Sequence, residues 1–155
     1  MKLRKALHIG QMAPLTPYAA DPVPYLARMN VTGVDFITVP TQNFEQAEQF
    51  YGDVLGLERS KQWGSMPARE FETGSLTIAL MQSDAFGVTF APHSHPIALH
   101  VDDVEAARTE LEGKGVEFVA ETMDSGVCHM AHFRDPDGNA LMLHHRYAPK
   151  DAKPA

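Results

Sequence analysis

Cysteine is almost missing from this sequence: Cys128 stands alone among 155 residues. A single thiol excludes an intrachain disulfide framework and any paired-cysteine redox or zinc motif, and a reducing compartment suits it. Five like charges never run together, and 20 acidic against 13 basic residues leave a formal charge of -7, which speaks against nucleic acid as the main partner. Long apolar runs are missing too. None approaches the roughly 18 residues of a bilayer-spanning helix, and the start, MKLRKALHIGQMAPLTPYAA, lacks the apolar centre of a secretory signal. The expectation is a cytoplasmic protein with neither membrane nor nucleic acid as partner.

What is present suffices for one domain. At 44% hydrophobic and 21% charged positions, a chain of this length buries about 70% of its unfolded surface. Residues 1–30 read as a separate N-terminal arm: the first 28 carry a charge of +3, leaving -10 on the rest. Pro14, Pro17, Pro22 and Pro24 there break any continuous helix or central strand. Such an arm is either loosely attached or crosses onto a partner subunit. Residues 148–155 read as a short tail.

Residues 31–147 repeat one grammar twice, in units over 31–90 and 95–147. Val34 to Val39 is β-rich; Asn43 offers a helix N-cap with Gln46 three residues on, and Phe44, Ala47, Phe50, Tyr51 and Leu55 follow at helical spacing up to Gly56. Ile97 to Val101 is again strand-like, Asp103 is the second cap, and Val104, Ala107, Arg108 and Leu111 lead to Gly113 and Gly115. A shift of 60 lays Val39 on Leu99, Asn43 on Asp103 and Ala47 on Ala107, whereas Gly56 meets Gly115 at a shift of 59. Further strands are predicted at Ala68 to Glu72, Leu76 to Met81, Val127 to Arg134 and Ala140 to His145, the last two joined by the turn Asp135-Pro136-Asp137-Gly138-Asn139. The prediction is an α+β fold of two tandem βαβββ units forming cupped mixed sheets.

Three motifs carry a family resemblance: NFEQAEQFYGDVLGLE (Asn43 to Glu58), HVDDVEAARTELEGKGVEF (His100 to Phe118) and FRDPDGNALML (Phe133 to Leu143). They resemble the vicinal oxygen chelate superfamily, which includes glyoxalase I, extradiol dioxygenases, methylmalonyl-CoA epimerase and the bleomycin-resistance proteins. In its metal-dependent members the resemblance implies a divalent ion held by His or carboxylate side chains from four strands. Carried over by spacing from Phe50, LTIALMQ, Val101 and Gly138, those positions are Phe36, Ala79, Pro96 and Met142. The first three have no side-chain lone pair to offer, and a thioether is a soft ligand, unsuited to the ions of this chemistry. Because this superfold hosts many activities, function has to be argued from the site.

Period-two alternation then predicts a cup lined by Phe36, Thr38, Thr77, Ala79, Met81, Pro96, Ala98 and Met142, with His100 and His144 as polar points and Trp63 in a loop at its mouth. Such a lining favours a flat or apolar ligand oriented by few hydrogen bonds, and the acidic balance suits a cation. Eight histidines keep a second reading open, a relocated metal on His95, His100 and His144 with His132 near, as in a lyase, isomerase or dioxygenase. His93 lies with His95 in the linker. Cys128 and His129, adjacent on a strand, point to opposite faces and make no catalytic pair. Asp35 turns away from Phe36, while Asp102, Asp103, Asp135 and Asp137 have cap or turn roles. The expectation is a metal-independent binder of a small organic ligand, without cofactor, acting as a homodimer.

Overall fold

The structure, a computed structural model, describes residues 31–150; the expected arm at 1–30 and residues 151–155 lie outside them. The first unit runs β1 (Phe36–Thr41), α1 (Phe44–Gln49) continued by a π-helical turn (Phe50–Val54), β2 (Glu58–Gln62), β3 (Ala68–Glu72) and β4 (Thr77–Gln82). A 3-10 turn over Asp84–Phe86 opens the linker. The second unit runs β5 (Ile97–His100), α2 (Val104–Gly113), β6 (Met123–Asp124), β7 (Cys128–Arg134) and β8 (Ala140–Arg146). Each unit folds into one four-stranded sheet, ordered β1-β4-β3-β2 and β5-β8-β7-β6. In each, the first strand is parallel to the last and the rest are antiparallel. The fold is therefore α+β with two tandem βαβββ units.

Local chemistry sets the element ends. Asn43 accepts from the Gln46 N–H at 3.3 Å and Asp103 from the Ala106 N–H at 3.0 Å, each satisfying a donor that the first helical turn leaves without a partner. Gly56 (φ 72°) and Gly115 (φ 88°) end the helices in the left-handed region, where other residues are strained. The change of shift from 60 to 59 between the halves now has a physical form. The first unit holds one more residue between cap and glycine, and it is taken up by the π turn, in which the Leu55 N–H reaches the Phe50 carbonyl at 2.9 Å. That wider turn lets two consecutive aromatics, Phe50 and Tyr51, both be buried.

The strands depart from expectation in two places. β1 starts and ends two residues later than the VDFITV run, taking in Pro40. Proline is tolerated because, among the described residues, β1 is an edge strand paired with β4 alone. β2 (ERSKQ) and β6 (MD) have no apolar alternation to announce them; four of the five β2 residues are exposed.

One face of each sheet feeds a shared core. Val39, Phe71, Ile78 and Leu80 from the first sheet and Ala131, Phe133, Leu141 and Leu143 from the second join Ala47, Phe50, Tyr51, Val104 and Leu111 from the helices. Each large side chain so buried stabilises the fold by about 1.5–3 kcal/mol.

The β7–β8 turn clasps the two units together. Asp135 is buried and accepts from the Tyr51 hydroxyl (2.9 Å), from Asn139 Nδ2 (2.7 Å) and from the backbone N–H of Asp137 and Asn139. Asp137 accepts from the Thr41 hydroxyl and the Gln42 N–H, and Asn139 bridges the Pro40 carbonyl to the His93 N–H. Burial pushes the Asp135 carboxyl above its ordinary range, its hydrogen bonds opposing the rise only in part. The Tyr51 phenol is also pushed up, first by burial and then by the Asp135 charge.

Candidate functional site

Because side chains alternate along a strand, the faces turned away from the core form the concave surfaces. On the first sheet this face carries Phe36, Thr38 and Pro40 from β1, Thr77, Ala79 and Met81 from β4, and Ala68, Glu70 and Glu72 from β3. The register fixes these neighbours: Thr38 lies beside Ala79, and Glu70 pairs with Ala79 on its other side. Phe36 is 47% exposed, whereas Ala79 and Ala68 form a buried floor.

Glu70 and Glu72 are residues that reasoning from the four ligand-bearing strands missed. Phe71 in the core implies them, since its neighbours at one residue on either side must face the other way. The two differ in their engagements. Glu72 accepts from the hydroxyls of Ser60 (2.7 Å) and Thr77 (3.1 Å). Glu70 accepts from Trp63 Nε1 at 2.7 Å through Oε1, while Oε2 accepts from no group among the described residues. The Trp63 ring stands edge-on to Phe86, with centroids 6.2 Å apart. Phe86 in turn walls a pocket of about 360 Å³ with Thr38, Pro40, Met81, Val88 and His93. This volume falls in the range of small-molecule sites, about 300–1,000 Å³.

A larger hollow of about 530 Å³ runs from Ile37 and Ile78, on the core side of the first sheet, to Ile97 and Leu99 of β5. Its walls are aliphatic side chains and the Thr73-to-Leu76 turn, with His100 the one titratable group. It therefore offers little to orient a polar ligand.

The second concave face is chemically different. Ala98 and His100 of β5 lie beside Met142 and His144 of β8, and β7 adds Met130 opposite His144 and His132 opposite Met142. Pro96 stands just before β5. The His100 side chain, 72% exposed, is 3.7 Å from Asp102, and its ring stacks on His145 at 5.9 Å rather than joining His144. His95 is exposed and bonded to the Ser94 hydroxyl, and His93 is tied through its backbone to Asn139 and Ala140. Cys128 is buried, with the Ser125 hydroxyl 3.1 Å from its sulfur. Asp35 is exposed ahead of β1.

The model of the Glyoxalase/Bleomycin resistance protein/Dioxygenase superfamily matches residues 33–143. The chain belongs to this superfamily. The glyoxalase fold is also seen in a lactoylglutathione lyase from Agrobacterium tumefaciens, with a TM-score of 0.64 at 18% identity over 74% of this chain and 94% of that one. TnmS3, an antibiotic binding protein from Streptomyces sp. CB03234, superposes with a TM-score of 0.64 at 23% identity over 77% and 99%. The protein YraH of Bacillus subtilis (strain 168) is 26% identical over 120 residues, 70% of this chain and 94% of that protein.

The metal that glyoxalase-type enzymes use does not fit here. At the corresponding positions the first sheet presents a phenyl ring and a buried methyl, Phe36 and Ala79, and the second presents Pro96 and the Met142 thioether. Among the described residues no three His, Cys, Asp or Glu side chains are grouped to hold an ion instead.

Proposed function

We propose that this glyoxalase-superfamily protein binds a small organic molecule with an aromatic body and a positive charge, without the divalent ion that enzymes of the superfamily use. One observation carries the reading: the Glu70 carboxylate on the concave face is held by the Trp63 indole, whose ring meets Phe86, a wall of an apolar pocket that Met81 also lines. An aromatic body fills the pocket and meets Trp63 or Phe86 by ring contact, while Glu70 Oε2 takes a charge-assisted hydrogen bond. A cation near the indole face gains further attraction. The likeness in fold to an antibiotic binding protein supports binding, and the residues at the ligand positions argue against turnover by family chemistry. A homodimer fits this reading: β1 and β5 are edge strands with one free side in the described residues, and Phe36 and Ala98 are exposed on faces that a second copy could cover.

The test titrates the full chain with 9-aminoacridine, a flat aromatic cation, and with the anion anthracene-9-carboxylate, read by calorimetry and thermal unfolding. The expected result is saturable binding and a raised melting temperature with the cation alone, weakened by Glu70→Gln and by Trp63→Leu. Equal binding of both probes, or none of either, overturns the reading.

A further inference from the structure

We propose that the concave face of the second sheet binds one soft monovalent ion, Cu(I), through Met130 and His132 of β7 and Met142 and His144 of β8. The register makes these four a block of two by two. Met130 is directly opposite His144, and His132 directly opposite Met142, on neighbouring antiparallel strands. Directly opposed side chains have Cβ atoms about 4.5–5.5 Å apart and diagonal ones about 7–8 Å. Thioethers and imidazoles at four such positions are long and flexible enough to converge on one ion above the sheet. All four are half-buried, so the block is shielded yet open to solvent.

The donor chemistry selects the ion. Two thioether sulfurs are soft, polarizable ligands that suit Cu(I), and imidazole suits copper as well. Neutral ligands give a monovalent ion enough donors without any carboxylate. Hard or borderline ions that want oxygen or several imidazoles find no match here.

Three further observations single the block out. Of the other described histidine rings four are engaged, His145 with the Val101 carbonyl, His95 with Ser94, His129 with Asp124 and Tyr147, and His100 with Asp102 and His145, while His93 lines the pocket of the first face. His132 and His144 have no such engagement among the described residues. The nearby cations on the same face are tied elsewhere, Arg146 to the carbonyls of Ala148, Pro149 and Lys150, and Arg134 to that of Gly138. The core does not call for these side chains either, because Ala131, Phe133, Leu141 and Leu143 on the other face fill it. Met123, opposite Met130 on β6 and 50% exposed, is placed to add a third sulfur from the rim.

The test is an anaerobic titration of the full chain with Cu(I) against bicinchoninate as a coloured competitor. The expected result is about one Cu(I) held per chain. The volume-conserving Met130→Leu/Met142→Leu variant, with its fold checked by circular dichroism, weakens retention beyond the about 10–100-fold that losing an outer-shell partner costs. His132→Asn/His144→Asn does the same, while Cys128→Ser and His93→Asn/His95→Asn leave it unchanged. A second readout is independent of variants: Ag(I), a redox-inert stand-in, shifts the methyl resonances of Met130 and Met142 in the unaltered protein. Failure to hold Cu(I) against the competitor, retention unchanged in the double methionine variant, loss in Cys128→Ser alone, or unmoved methyl resonances each overturns the proposal. None of these outcomes bears on the pocket beside Glu70, which is probed with an organic cation.

Discussion

The two concave faces occupy equivalent places in a duplicated fold, yet hold opposite chemistry. Under the duplication Glu70 corresponds to His132 and Ala68 to Met130, while Ala79 and Met81 correspond to Met142 and His144. The first face has a carboxylate, small residues forming a floor, and aromatic walls beside a pocket. The second has imidazoles and thioethers on an open sheet. The opposite, core-facing positions have not diverged in this way: Phe71 and Phe133 are both fully packed, as are Ile78 with Leu141 and Leu80 with Leu143. Packing density penalises change on the core face, whereas the concave face is free to specialise. A shared backbone thus fixes where side chains point and leaves their chemistry open.

The largest effect is expected from separating the halves. Asp135→Ala removes the acceptor of Tyr51, of Asn139 Nδ2 and of two backbone N–H groups. Stranding buried donors costs about 1–3 kcal/mol each, so a loss of about 3 kcal/mol or more is expected in urea unfolding. If each unit holds a fold of its own, the single transition splits in two.

Next comes a pH test of the same clasp. The folded-state pKa of Tyr51 is raised above its ordinary 10.0. A phenol that binds its proton more tightly in the folded state contributes stability that is complete below the unfolded pKa and is lost as pH rises through the folded one. Stability should therefore fall from about pH 10 upward, and Tyr51→Phe, though less stable at neutral pH, should lack that limb. Equal alkaline slopes for both proteins would reject the assignment.

These contacts also show where sequence reading stops. Caps, helix-ending glycines and the strands β3, β4, β7 and β8 were legible because each is signalled within a few residues by alternation or turn chemistry. β2 and β6 were not, since an exposed edge strand needs no apolar period. Asp135 was legible as a turn residue, but its hydrogen bond to Tyr51 spans 84 positions and leaves no local trace. Glu70 was readable in principle from the alternation in AREFE. The family's metal-ligand positions lie on β1, β4 and β8 and just before β5, so they do not point to β3. His100 shares the register of His144 as alternation demands, yet its ring folds onto His145 at the open end of an edge strand.

A smaller effect sharpens the contrast between the faces. Glu70→Gln should weaken binding of the aromatic cation about tenfold, or about 1.4 kcal/mol, because a charge-assisted hydrogen bond is roughly twice as strong as a neutral one. His132→Gln, at the equivalent position, should leave that affinity unchanged. Equal losses would mean that both faces contribute to one ligand site, as a dimer that joins them would produce.

The smallest effect addresses what the halves still share. Asn43→Ala and Asp103→Ala each remove a side-chain cap on one backbone N–H, and each should cost about 1 kcal/mol. If the two costs agree, the duplicated helix starts are energetically as well as geometrically equivalent. A larger cost at Asn43 has a specific cause available. The Asn43 N–H donates to the Thr41 hydroxyl, which itself donates to Asp137 of the clasp, so loosening the α1 start would carry into the contact between units. Among the described residues Asp103 has no such connection, and combining Asn43→Ala with Asp135→Ala measures the coupling. Independent sites add to within about 0.5 kcal/mol, so a larger departure from additivity would show that the cap and the clasp act as one unit in the first half only.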